Sequence, residues 1–158
     1  MGAGKSTVGA LMAQALGRPY LDNDELLHQQ TGRTAVELAA EGGNRLHEAE
    51  SRQLRSLGAL RRPFVAAVAA SVADRPDDLQ LLRSLGDSVY LRLRPETLAR
   101  RVGVGQGRPW LGGDRLTVLT EMFSARDPVL VRVADVVIDC DELVPAAIVT
   151  RALDGLRA

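Results

Sequence analysis

Met1-Gly2-Ala3-Gly4-Lys5-Ser6-Thr7 opens the chain. Its Gly4-Lys5-Ser6-Thr7 matches the end of a phosphate-binding loop of the form G-x-x-x-x-G-K-[ST]. Glycines let the backbone approach phosphate oxygens closely, with the amides turned inward as donors. In such a loop Lys5 reaches the β- and γ-phosphates, and the Ser6 hydroxyl sits on Mg²⁺. The helix that follows offers the positive end of its dipole to the same anion. Gly2, Ala3, Gly4, Lys5, Ser6 and Thr7 are therefore candidates for holding the phosphates of a nucleotide. Lys5 is also the only lysine in the chain, all other long basic side chains being arginine. A compact charge on a flexible stem is kept where a phosphate loop needs one. The first glycine of the pattern, and the strand that feeds it, would precede Met1. The expectation is a polypeptide that begins upstream, with Met1 an internal loop methionine.

The 158 residues suit one domain spanning 1–158. A formal net charge of zero argues against nucleic acid as a partner, since a broad footprint would carry a basic excess. One cysteine, Cys140, excludes an internal disulfide, and the residue reads as inert rather than nucleophilic. No apolar run reaches the ~18 residues of a membrane span, and no signal peptide is evident. A monomer in a reducing cytoplasm is expected.

Val8, Leu11, Met12, Ala15 and Leu16 recur at helical spacing, so a helix is expected from Lys5 to Leu16, closed by Gly17. Pro19 to Asp22 reads as a short strand. Asn23-Asp24-Glu25 opens a second helix, ended by Thr31-Gly32. Thr34 and Glu37 form a capping-box pattern. A longer helix is expected over Asn44–Leu60 and a buried strand over Phe64–Val68. Asp77–Leu85, the segment after Pro95, the segment after Asp114 and the last stretch, with Val144, Ile148, Ala152 and Leu156, read as helices. Val89–Leu93 and Asp135–Asp139 read as strands. Gly103 to Gly113 is glycine-rich and reads as a mobile loop carrying Arg108. Strands alternating with helices predict a three-layer α/β domain with a parallel sheet. Ligands of such sheets gather at the carboxyl ends of the strands.

With these residues in view, the chain resembles the shikimate kinase family, P-loop small-molecule kinases of the nucleoside-monophosphate-kinase group. The likeness runs in order along almost the whole chain. Gly2 to Gly9 resembles the phosphate loop and helix start. Leu21-Asp22-Asn23-Asp24, then Thr31-Gly32-Arg33-Thr34, resembles the D-x-D strand end and T-G-R/K-[ST] turn. Leu93 to Arg101 is similar to the helix before the lid, and Gly107-Arg108-Pro109 to the lid itself. Ala125-Arg126-Asp127-Pro128 resembles the R-x-P-x-Y helix end, without the tyrosine. The resemblance implies ATP-dependent phosphorylation of a small hydroxylated acid, shikimate first, with substrate-binding helices at about 23–62 and a lid at about 103–114. It implies that Lys5 and Ser6 hold phosphates and Mg²⁺, and that Asp22 positions the metal through water. Asp24 would contact the acceptor hydroxyls and act as base, Arg108 would close over the moving phosphoryl group, and Arg126 would fork onto the acceptor carboxylate. Two aspartates at i and i+2 of a strand would face one cleft.

Plainer roles compete. Asp24 could cap the helix at Glu25, and Asp22 could be a turn residue. Arg108 could be a solvated loop charge. Arg126 could pair with Asp127 or with the negative end of its helix. His28 and His47 have no metal-ligand partner at useful spacing. The chain also departs from the family pattern. His47 stands where an arginine of the substrate site is expected, and Val68-Ala69-Ala70-Ser71 stands in place of a G-G-G run. These departures admit a kinase for a different small alcohol, or a catalytically weak nucleotide-binding homologue.

Overall fold

The computed structural model describes residues 2–61, 63–102 and 114–157. Helix α1 (Lys5–Leu16) begins after Gly4, left-handed at φ 83°, and ends at Gly17, whose amide donates to the Gln14 carbonyl at 3.2 Å. Strand β1 (Tyr20–Leu21) runs straight into α2 (Asn23–Thr31). The expected capping box opens α3 (Ala35–Ala40): the Glu37 amide donates to Thr34 Oγ1 at 3.2 Å, and the Thr34 amide to Glu37 Oε2 at 2.7 Å. Helix α4 (Gly43–Leu57), strand β2 (Val65–Ala66) and a 3₁₀ turn (Ala70–Asp74) follow. Prolines at the first helical position start α5 (Pro76–Leu85) and α6 (Pro95–Val102), with β3 (Val89–Arg92) between them. Asp114 caps α7 (Arg115–Val133), accepting from the Thr117 amide at 3.2 Å. Strand β4 (Val136–Asp139) and α8 (Pro145–Gly155) complete the described chain.

The strands are parallel, β1 with β2 and β3 with β4. Helices α1 and α8 cover one side through Val8, Met12, Ile148 and Ala152, packed with Ile138 and Leu93. Helices α4, α5 and α7 cover the other through Leu54, Leu57, Leu82 and Leu130. Leu27, Leu38 and Ala49 form a separate small cluster under α2, α3 and α4. This is the expected three-layer α/β arrangement.

Two expectations are corrected. The strand read over Phe64–Val68 pairs only at Val65–Ala66. Its partner is short: Pro19 has no amide to donate, and Asp22 turns the chain into α2. Helix α7 does not end near Pro128 but runs on to Val133. Pro128 removes one helical hydrogen bond, while its neighbour Asp127 ties the helix to β3. Arg92 donates to both Asp127 oxygens, each at 2.8 Å, and the Tyr90 hydroxyl donates to Oδ1 at 3.1 Å. Arg92 holds the Asp127 carboxyl below the usual carboxylate range. A bidentate, charge-assisted anchor of this kind outweighs the local break.

Among the described residues β2 pairs only with β1, and β3 only with β4. Between the two pairs lies a cavity of about 610 Å³, lined by Val65 and Ala67 on one side, Val89 and Leu91 on the other, and Val8 and Met12 of α1. Ala3 and Lys5 also border it, so it sits where a strand feeding the phosphate loop would run. Apolar residues placed there would each stabilise the fold by roughly 1.5–3 kcal/mol. An in-frame apolar segment of about five residues, joined through a short loop to the amino side of Gly2, is expected to raise the melting temperature by about 5 °C or more. A serine-substituted version of the same segment is the control. Equal melting temperatures for the two would show that this cavity does not take a strand.

Candidate active site

The loop before α1 is built from alternating backbone hands, with Gly2 at φ 67° and Gly4 at φ 83°. A side chain at either position would be strained. Gly4 has no side chain to cap α1, and no acidic residue lies in its first turn. The first amides of the helix are thereby left for an anion rather than for the protein's own carboxylates. Lys5 is half-buried at this point, and Ser6 and Thr7 are exposed.

Ser6 Oγ donates to Asp22 Oδ2 at 2.7 Å. The Tyr20 hydroxyl donates to the same oxygen at 3.0 Å. Asp22 Oδ1 accepts from the amides of Asp24 at 2.9 Å and Glu25 at 3.4 Å. Burial pushes the Asp22 carboxyl upward, but the hydrogen bonds from Ser6, Tyr20 and the two amides hold it below its usual value. Burial and the bond to Asp22 push the Tyr20 phenol up to about 12, so it remains a donor. Gly9 makes room for that phenol, since a Cβ there would run into the Tyr20 ring.

The two residues expected around a metal, Ser6 and Asp22, therefore come together. No group of three or more His, Cys, Asp or Glu able to hold a metal occurs among the described residues. A hydroxyl beside one carboxylate fits Mg²⁺, which keeps several waters and takes its remaining ligands from phosphates. Asp24 differs from expectation. It lies inside α2, exposed, rather than on a strand two residues from Asp22. The strand-face reason for pairing the two aspartates fails, and so does Asp24 as the helix cap. Asp22 is the cap, because its oxygen reaches both amides of the first turn. Asp24 instead accepts from Asn23 Nδ2 at 3.1 Å, at the edge of the same loop.

Helix α4 carries His47 and Glu50 one turn apart. Ser71 Oγ donates to Glu50 Oε2 at 2.5 Å. Burial pushes the Glu50 carboxyl up, against the Ser71 bond and the nearby charges of His47, Lys5 and Arg126. Only Ser71 touches this carboxyl directly among the described contacts; the His47, Lys5 and Arg126 charges act on it through space. Arg126 pairs neither with Asp127 nor with its helix end. Its Nε donates to Asp74 Oδ1 at 2.9 Å and its Nη2 to Oδ2 at 2.6 Å. Arg108 lies outside the described residues. Cys140 is fully buried, with its thiol pushed up to about 11 by burial, as an inert residue should be.

Sequence reading assigned no role to Glu50, Asp74 or Tyr20. His47 and Glu50 share a helix face, a signal visible in spacing alone. Asp74 gave no signal, because its contact depends on a 3₁₀ turn that no pattern announced.

A family model described as shikimate kinase matches residues 1–157. The chain is similar to the shikimate kinase of Psychrobacter sp. strain PRwf-1, at 32% identity over 99% of this chain and 88% of that protein. It is similar to the shikimate kinase of Dechloromonas aromatica at 37% identity, over 94% of this chain and 82% of that one. The shikimate kinase from Acinetobacter baumannii, solved in complex with shikimate, superposes with a TM-score of 0.90 at 28% identity, covering 98% of this chain and 87% of that one. No described helix is long and apolar enough to cross a membrane.

Asp22→Ala is expected to lower stability at pH 7 by about 1–2 kcal/mol, the typical cost of losing an N-cap. The folded pKa of Asp22 is depressed, so its contribution is present above the unfolded value and is lost as pH falls. The gap between wild type and variant should therefore shrink below about pH 4. Urea unfolding across that range checks both points.

Proposed function

Because the chain belongs to the shikimate kinase family, we propose that it transfers the γ-phosphoryl group of ATP to a hydroxyl of shikimate. The observation that carries this reading is the Ser6–Asp22 contact at an uncapped, glycine-led helix start. His47, Glu50 and Arg126 are the residues we assign to the acceptor side, supported by the influence of the Lys5 charge on Glu50.

ATP is the phosphoryl donor of this family. The amides at the start of α1 and the Lys5 ammonium would hold its phosphates and neutralise the charge that accumulates as the group moves. Mg²⁺, where bound, would supply further charge neutralisation, held by Ser6 and, through water, by Asp22. Arg126 would grip the acceptor carboxylate and so aim the hydroxyl at the γ-phosphorus. Asp24 is the candidate for taking the hydroxyl proton. The new bond joins the acceptor oxygen to phosphorus, the bond from phosphorus to the β–γ bridging oxygen breaks, and ADP leaves with that pair of electrons. Arg108 is the candidate for closing over the reacting group.

A second reading, a kinase of this fold acting on a different small alcohol, draws on His47 and on the Ser71–Glu50 contact at the acceptor side. ADP release measured with ATP and Mg²⁺ against a panel of alcohols separates the two. Stimulation by shikimate supports the first, and stimulation by another alcohol alone supports the second. ATP binding with no acceptor-stimulated turnover would leave a nucleotide-binding homologue. Lys5→Ala is expected to reduce acceptor-stimulated ADP release by at least about a hundredfold. His47→Arg should lower KM for shikimate about tenfold, since it adds a charge-assisted hydrogen bond to the acceptor carboxylate. An unchanged or higher KM would count against shikimate as the acceptor.

A further inference from the structure

The 3₁₀ turn Ala70–Asp74 places two polar contacts on the acceptor side of the cleft. Residues three apart eclipse one another in a 3₁₀ turn, and Ser71 and Asp74 are so spaced. Ser71 reaches Glu50 of α4, and Asp74 reaches Arg126 of α7. The second contact is a two-point fork, through Nε at 2.9 Å and Nη2 at 2.6 Å. This is the geometry by which a guanidinium recognises any carboxylate. The Arg126 side chain keeps only 15% of its surface exposed, whereas Asp74 keeps 33%. Little of the guanidinium is left for a second anion, while Asp74 has water to move into if displaced.

We propose that Asp74 is a built-in competitor for the acceptor's carboxylate, and that it sets the affinity of this site for acids against uncharged alcohols. The proposal rests on the reading of Arg126 as the acceptor's carboxylate partner. An incoming acid must either displace Asp74 from the side-on fork or take the remaining edge of a guanidinium whose charge Asp74 already balances. In both arrangements a fixed negative charge stands against it. A neutral alcohol of the same shape meets no such opposition. The orienting alternative has the opposite sign: an Asp74 that merely held Arg126 in place for the acid would make binding worse when removed.

The test compares shikimate with its methyl ester, which keeps the hydroxyls and loses the charge. Steady-state ADP release is measured for wild type, Asp74→Asn and Asp74→Ser, with thermal melts to establish that each is folded. Both variants are expected to lower KM for shikimate about fivefold, the size of a partly exposed ion-pair contribution. KM for the ester and KM for ATP should not move. In an Arg126→Ala background, Asp74→Asn should no longer change KM for the acid. A KM for shikimate that stays the same or rises in both variants overturns the proposal while leaving shikimate phosphorylation standing. Equal gains for acid and ester overturn it as well. No turnover of either compound by wild type or variants overturns the reading of the acceptor and this proposal with it.

Discussion

The carboxylate of Asp22 is the contact on which the rest of this site depends. Its two oxygens accept from Ser6, Tyr20 and the amides of Asp24 and Glu25. Four donors drawn from α1, β1 and α2 therefore converge on one side chain. The strand ends there because the capped amides start a helix. The helix starts there because the oxygen is held in place by a phenol and a serine. The position of Ser6 at the mouth of the phosphate loop, and of Asp24 at its edge, follows from the same centre. Gly9 supports the arrangement from behind, by letting the Tyr20 ring lie against α1.

Much of this was readable in the amino-acid string, and the reasons divide by range. Local rules worked. Gly17, the Thr34–Glu37 box, Pro95 and Asp114 all terminate or start helices where pattern and capping chemistry place them. The helix start at Gly4-Lys5-Ser6 was readable because a glycine ahead of a helical apolar spacing marks where the chain turns into α1. Non-local effects were not readable. Pro128 announces a helix end, and the Arg92–Asp127 fork overrules it from a strand far away in sequence. Asp22 and Asp24 looked like alternate residues of a strand. The backbone turns between them, because side-chain acceptance of amides competes with strand pairing. Asp74 could not be found at all, since an aspartate before Arg75-Pro76 says nothing about which arginine it will meet.

The two sides of the cleft also differ in character. The proposed nucleotide side consists of backbone amides at the start of α1 and the single Lys5 ammonium. On the proposed acceptor side, side chains pair with one another: Ser71 bonds Glu50, and Arg126 forks onto Asp74. Changing one member of such a pair shifts the charge felt by the other. Helices α2, α3 and α4 close over their own small cluster of Leu27, Leu38 and Ala49.

The solitary lysine has a practical consequence. Of the 20 lysines and arginines, all but Lys5 are arginines, and guanidinium groups do not acylate under mild conditions. Here an amine-selective reagent meets a single Nζ, at the start of α1, besides the backbone amino terminus. Occupancy of the proposed phosphate loop would thereby become visible as the shielding of one atom, read by mass alone.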